Sequence, residues 1–566
     1  MNPRIERDRQ LILGAKETGR LATLGAFIRL SGPGWLQSAI TLGGGSLSSS
    51  LYLGVLVGFS FLWLQPAAMI AGVIMLSAIA YVTLSSGERP LRAINRHINP
   101  ILGWGWLFAS MAANLVWSMP QFALAAASLQ QNLLPHVVGP SVIPDPWGKI
   151  IVLIAILCVS LTVVMFYTIG GWGVKVFEIL VKCLVAMNVC CFAGVVVKLT
   201  GTGQIQWREL LAGFVPNLKL LSVPAQAFGP HIAEVAPQFR QYWHDLIVGN
   251  QRDVMISAAA TAVGINMTFL FPYSMLRKGW NKDFRGLAIF DLSTGLFFPF
   301  VLATGCVVIA AAAQFHARPA PGFLGETDPQ NQIVAPAPNL VGDFDRLLTG
   351  RLKTEMGAEA FDRLSASERV ERLNALPNAD RKMAALLVKR DAFNLADSLA
   401  PLTGKTVARY VFGLGVLGMG MGALTMLMLI NGLCFCEMLN LPARGWPQRV
   451  GCAMVSVGAL GPFFWKQAQM WIAIPTSMFA MVLLPLAYCS FFLLMNQKRV
   501  LRESLPRGGK RVLWNVLMAI STGLAAFGSA WSLWSKTGWY GVVGIGIFTV
   551  LVFGVHFMHK PIGDDA

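Results

Sequence analysis

Apolar residues in this chain gather into long runs separated by short polar joints, and a helix needs a run of about 20 apolar residues to cross a bilayer. Twelve such segments are expected, at roughly 30–57, 61–86, 101–134, 149–171, 175–199, 253–277, 287–314, 407–439, 447–465, 470–496, 511–535 and 537–558. The fold class that follows is an all-α polytopic membrane protein. The joints RPLRAINRH (89–97), RKGWNKDFR (277–285), ARGWPQR (443–449) and QKRVLRESLPRGGKR (497–511) are basic, whereas 58–60 and 135–148 contain no Lys or Arg. Basic joints stay on the cytoplasmic side, so both termini are expected in the cytoplasm, in a multi-pass cell (inner) membrane protein. The expected layout is a cytoplasmic tail over 1–27, segments 1–7 over 28–314 with an external loop at about 200–252, and an external polar insertion over 315–406. Segments 8–10 follow over 407–496, then segments 11–12 and the C-terminal tail over 497–566. The tail, with RIERDRQ, lacks the short apolar core and small-residue site of a removable signal peptide.

Segment 1 interrupts its own helix. TLGGGSLSSSL (41–51) places three glycines and four serines in an apolar run, although each glycine weakens a helix by roughly 1 kcal/mol relative to alanine. Unbroken, the segment would be about 42 Å long; a break at Gly43, Gly44 and Gly45 divides it near the bilayer midplane. Segment 6 contains Pro272, which lacks an amide donor and crowds the preceding turn, so a second break is expected there. Segments 1 and 6 are five apart, the spacing of broken helices in transporters built from two inverted five-helix repeats, where substrate binds between them. A ten-helix core with two peripheral helices follows. A small-residue packing face accounts for the glycines and serines alone, but not for Pro272.

Composition agrees. The chain is 55% hydrophobic and 13% charged, with a net charge of +17. The basic residues are spread over joints without an aromatic-interleaved patch, which excludes a nucleic-acid interface; the bilayer is the expected partner. The nine cysteines lie in apolar stretches and imply no disulfide framework. No triad, zinc signature or phosphate loop shares a membrane depth, so neither an enzyme nor a cofactor is expected. Donors near the two breaks are neutral: opened carbonyls at 43–45, hydroxyls of Thr41, Ser46, Ser48, Thr268, Tyr273 and Ser274, and amides of Gln37 and Asn266. Met267 and Met275 read as packing. No Asp or Glu occurs from Gly32 to Ser86, in segments 3 and 4, or from Met255 to Leu276; Glu178, Asp291 and Glu437 sit toward cytoplasmic ends, where capping or snorkelling is expected. Outside, His231 with Glu234 and His244 with Asp245 read as ordinary loop residues, and Ser365 with Glu368 as a capping box on a surface helix.

The stretch from GPGWLQSAITLGGGSLSSS to YVTLSSG, with FPYSMLRKGWNKDF and the DLSTGLFFPFVLATG run, resembles the NRAMP family of divalent-metal transporters. The resemblance implies alternating access around broken helices 1 and 6, with the substrate at Gly43, Gly44, Gly45, Ser46, Thr268, Phe271 and Tyr273. The chain departs from the family at its chemical centre. Asp-Pro-Gly-Asn becomes Gly43, Gly44, Gly45 and Ser46, and Met-Pro-His becomes Phe271, Pro272 and Tyr273. Ser46 and Thr268 are then the remaining positions of the family's ligand set able to touch a metal. Oxygen donors favour a hard cation, passing largely hydrated because no carboxylate offsets its desolvation. With the titratable groups of both motifs gone, no obligatory proton coupling is expected. Two other readings stand beside metal transport: carriage of a neutral or organic solute, its carboxylate met by helix N-termini, and a transport-inactive sensor or scaffold.

Overall fold

The computed structural model describes residues 3–169, 171–327, 331–464 and 473–558. Among them the regular secondary structure is helical, apart from one isolated bridge between Thr327 and Ile333. Ten helices are long and apolar enough to cross a membrane, eleven if the bent pair of segment 1 forms one span. That pair is 1a (Pro33–Thr41) and 1b (Gly44–Val57), which meet at 57°. Segment 1b is buried along almost its whole length, packed among segments 6, 7 and 10. Segment 1a packs against segment 5 (Trp172–Gly201), segment 8 (Lys405–Met438) and the helix Arg285–Gly295 that opens segment 7. A hydrophobic stripe this broad belongs to a central element rather than a lipid-facing one.

Segment 6 corrects the sequence reading twice. Its helix begins at Pro237, not near 253, because the stretch assigned to an external loop is amphipathic: Trp243, Ile247, Val248 and Gln251 are buried while Arg240, Gln241 and Asp245 face outward or sideways. The interruption is not at Pro272, which lies inside the helix Ile265–Arg277 (6b). It lies at Val263 and Gly264, both extended, between 6b and 6a (Pro237–Ala262). Gly264 is required there because the indole of Trp117 would lie 2.3 Å from any Cβ at that position.

Segment 9 departs from a simple span: Gly445–Met454 is followed by a 3-10 stretch, Val455–Leu460, and one turn, Gly461–Phe464. The end of the expected span, at 465, lies outside the described residues. The tightening follows from contact with segment 3 (Pro100–Ala127), where Ser118 donates to the carbonyl of Val455 at 3.3 Å.

The N-terminal tail forms two helices, Pro3–Thr18 and Arg20–Leu30. Arg9 pairs with Asp283 at 2.6 Å and Ile12 is fully buried. The insertion at 315–406 folds into five short helices from Pro338 to Thr403. Ser365 and Glu368 form the capping box, with the Ser365 amide donating to Glu368 Oε2 at 2.8 Å. The insertion is tied to segment 6a through Asp380, which accepts from Trp243 Nε1 at 2.6 Å and from Arg351 Nε at 3.1 Å. Arg390, which is buried, donates to the carbonyl of Arg318 at 2.5 Å and stands over the ring of Phe315 at 5.0 Å.

Candidate functional site

The two interruptions face each other across one small cavity of about 20 Å³, lined by Thr41, Gly43, Gly45 and Ser46 from segment 1 and by Thr261 and Met267 from segment 6. Segment 3 adds Trp117, Pro120 and Gln121, and segment 10 (Ala473–Met495) adds Thr476 and Ser477. This volume has room for about one water molecule. A fully hydrated divalent ion is many times larger, so this conformation admits a cation only after most of its water has been stripped.

Several of the lining groups are held by hydrogen bonds. Ser46 Oγ donates to the carbonyl of Gly43 at 2.9 Å. The Gly44 amide, at the N-terminus of 1b, donates to Gln121 Oε1 at 2.8 Å. Thr41 donates to the carbonyl of Ser38 at 3.0 Å and Thr261 to that of Ala258 at 2.8 Å. The Gly264 amide donates to Met267 Sδ at 3.4 Å, so the thioether caps 6b and also faces the cavity. Pro120 sits within segment 3, where it leaves the carbonyl one turn earlier without its helical donor. Segment 3 then ends in a π-helical turn, Ser128–Leu133, a feature common near functional sites.

The structure brings together Gly43, Gly44, Gly45 and Ser46, although Gly44 touches the site through its amide and does not line the cavity. It does not bring Thr268, Phe271 or Tyr273 to the lining. Thr268 accepts from Trp106 Nε1 at 2.9 Å and donates to the carbonyl of Ile265 at 2.5 Å. Phe271 is fully buried. Tyr273 stacks on Phe269 with centroids 4.5 Å apart. The reason is geometric: with the interruption at 263–264, these residues lie one to three turns into a continuous helix. The residues missed by sequence reasoning are Trp117, Pro120, Gln121, Thr261, Thr476 and Ser477. For segment 3 the signal was present as SMPQF, a proline and an amide in the middle of an apolar run.

Two further amides bear on the path to the cavity. Gln37, one turn before Thr41, is fully buried with neither amide atom hydrogen-bonded. Asn266 Nδ2 donates to Asn114 Oδ1 at 3.1 Å, leaving Asn266 Oδ1 without a partner beside the interruption. Buried polar atoms of this kind call for water or an ion.

The acids stay away. Asp291 is fully buried but accepts from the amides of Gly32 at 3.0 Å and Gly34 at 2.5 Å and from the Ser31 hydroxyl, capping the N-terminus of 1a. Glu178 pairs with Lys278 at 2.9 Å and Glu437 with Arg89 at 3.3 Å. In the polar segments between spans, Glu234 is engaged by Lys382 at 2.9 Å, and His244 lies 3.1 Å from Asp245. No group of three or more His, Cys, Asp or Glu suited to a metal ion occurs among the described residues.

Comparison with known proteins bears on the family and the fold. The family model for natural resistance-associated macrophage protein-like proteins, Nramp, matches residues 34–323 and 382–530. Among curated proteins, the metal transporter Nramp2 of Populus trichocarpa is 25% identical over 189 residues, which is 33% of this chain and 32% of that protein. The metal transporter Nramp4 of Arabidopsis thaliana is 25% identical over 200 residues, 35% of this chain and 36% of that protein. The match thus spans about a third of the length of these relatives. Among solved structures, a single-residue variant of the Eremococcus coleocola manganese transporter superposes with a TM-score of 0.60 at 13% identity, covering 94% of each chain. The same transporter bound to an aromatic bis-isothiourea compound gives the same values. At that identity the likeness shows the fold.

Proposed function

The chain belongs to the Nramp family, and from that premise we propose that it is a secondary transporter carrying a divalent metal cation across a cell membrane, with both termini in the cytoplasm. The observation that carries this reading is the cavity between the two interruptions, lined by Gly43, Ser46, Thr261 and Gln121. Transporters of inverted-repeat design place their substrate between half-helices.

The donor set shapes the choice of ion. It consists of neutral oxygens with one thioether, Met267, already engaged by an amide. Oxygen donors without charge favour a hard cation that keeps part of its water and bind it weakly. Selection then rests on cavity size and geometry. Ser46 is the side chain of the lining that stands at a family ligand position; Thr268, the other, would act only after a rearrangement of 6b. The organic-carboxylate reading is weaker, because the Gly44 and Gly264 amides that would meet a carboxylate are taken by Gln121 and Met267.

Proteoliposomes holding the purified protein should take up Mg²⁺ or Mn²⁺ in a saturable manner, and Cd²⁺ no better than either. Absence of flux for all three ions, with a protein that melts cooperatively, would overturn the reading in favour of the sensor or scaffold role.

A further inference from the structure

Between segments 10 and 11 (Gly508–Thr537), on the face carrying the basic joints, lies an open cleft of about 540 Å³ lined by Lys498, Arg502, Arg507 and Arg511 with Leu505 and Pro506. None of these four cations makes a salt bridge among the described residues; Arg511 donates instead to the neutral Asn496 Oδ1 at 3.2 and 3.3 Å. A neighbouring cleft of about 860 Å³ shares Arg507 and adds Lys282, Arg285 and Lys510. Of the two acids there, Asp283 is occupied by Arg9, leaving Glu503.

The loop is built to hold this shape. Tyr81 donates to the carbonyl of Ser504 at 2.7 Å, and Arg502 adopts a left-handed φ of 46°, a conformation that costs a residue with a side chain. Segment 11 begins in the cleft with no capping side chain and no acid in its first turn; Arg507, Lys510 and Arg511 surround its N-terminus instead. Cations at the positive end of a helix dipole are unfavourable unless an anion sits between them. From Gly508 the positions Val512, Val516 and Ile520 recur every four residues, forming one exposed apolar stripe that rises directly from the cleft.

We propose that this cleft binds the phosphate headgroup of an anionic phospholipid whose acyl chains lie along the Val512, Val516 and Ile520 stripe. The headgroup supplies the charge that the four cations lack, and the stripe supplies the apolar surface that a soluble anion would not use. Basic pockets between transmembrane helices are suited to such headgroups. The inference is independent of which ion is transported.

The test compares the full-length protein in nanodiscs of phosphatidylcholine alone with nanodiscs containing phosphatidylglycerol, reading the thermal midpoint and, by native mass spectrometry, retained lipid. Phosphatidylglycerol should raise the midpoint by several degrees and leave bound adducts. Arg502→Gln with Arg507→Gln should lose at least half of both effects, and Arg507→Gln alone a smaller share. Arg92→Gln with Arg96→Gln, an equal loss of charge on exposed residues elsewhere on the same face, should lose neither. Equal losses in the two double variants, or no difference between the lipids, would overturn the proposal. So would inorganic phosphate at millimolar concentration reproducing the shift in phosphatidylcholine, which would make the ligand a soluble anion.

Discussion

Gly44 gives its backbone N–H to Gln121 Oε1 at 2.8 Å, so a neutral amide from segment 3 closes the first turn of segment 1b at the edge of the cavity. Gln121→Glu keeps that acceptor and adds the negative charge that the site lacks, beside a helix N-terminus that favours it. Calorimetric titration should show tighter Mn²⁺ binding than in the parent. Gln121→Leu leaves the amide unpaired and should cost about 1–3 kcal/mol in denaturant melts.

Room is the obstacle to restoring the family's aspartate. A Cβ on Gly43 would stand 2.9 Å from the Ala423 Cβ and 3.1 Å from Gln121 Oε1. Gly43→Asp alone should lower stability by about 1–3 kcal/mol, the usual range for overpacking. Combined with Ala423→Gly it should fold and gain Mn²⁺ affinity. Phe271→Met should change neither, because Phe271 does not line the cavity; a gain from that change by itself would move the site into 6b.

Metal flux is expected without obligatory proton movement. The lining contains no group that titrates near neutral pH, Glu178 is paired with Lys278, and Asp291 is spent on the N-terminus of 1a. Vesicles loaded with a pH dye, under clamped potential, should show no metal-dependent acidification. Acidification abolished by Asp291→Asn or Glu178→Gln would identify a carrier that this geometry assigns elsewhere. Asp291→Asn should in any case cost about 1–2 kcal/mol of stability through the weakened cap.

Acid should loosen the insertion from the approach to segment 6. The hydrogen bond from Lys382, first, and its charge hold the Glu234 carboxyl below its ordinary value, while burial and then Lys382 push His231 below the ordinary imidazole value. For Glu234 the docked state binds fewer protons than the free one, so its contribution is present above about pH 4.5 and is lost as pH falls through the depressed value. For His231 the sign is the same, with the loss beginning as pH drops below about 6.5. Hydrogen exchange across Asn378–Leu387 should therefore quicken, after correction for intrinsic rates, first as pH falls below about 6.5 and again below about 4.5. Lys382→Ala should flatten the lower part of that dependence.

The spacing of long apolar runs carried most of the architecture. The break at Gly43 was legible because three glycines in an apolar run have no cheaper explanation. Pro272 misled because a proline's effect depends on what surrounds it: it sits in the middle of 6b without breaking it, while the indole of Trp117 dictates the interruption at Gly264 from another segment. Contacts between segments distant in sequence leave no local pattern, which is why Thr261, Thr476 and Ser477 were invisible. The helix from Pro237 was hidden by its charges, which lie on one face and so lower the apolarity of any window without altering the helical pattern. The capping box at Ser365, by contrast, is a bond between neighbours and was readable as written.

The insertion fastens itself to its neighbours through residues that do not line the cavity: Lys382 to Glu234, Asp380 to Trp243, and Arg390 over Phe315 at the end of segment 7. Fasteners of that kind act on the speed of a cycle rather than on what is carried through it. Under the proposed cycle, any rearrangement that parts segments 6 and 7 beside the insertion must first undo them, whichever ion is carried. On the proposed function, turnover and selectivity are then expected in separate parts of one chain, open to change one without the other.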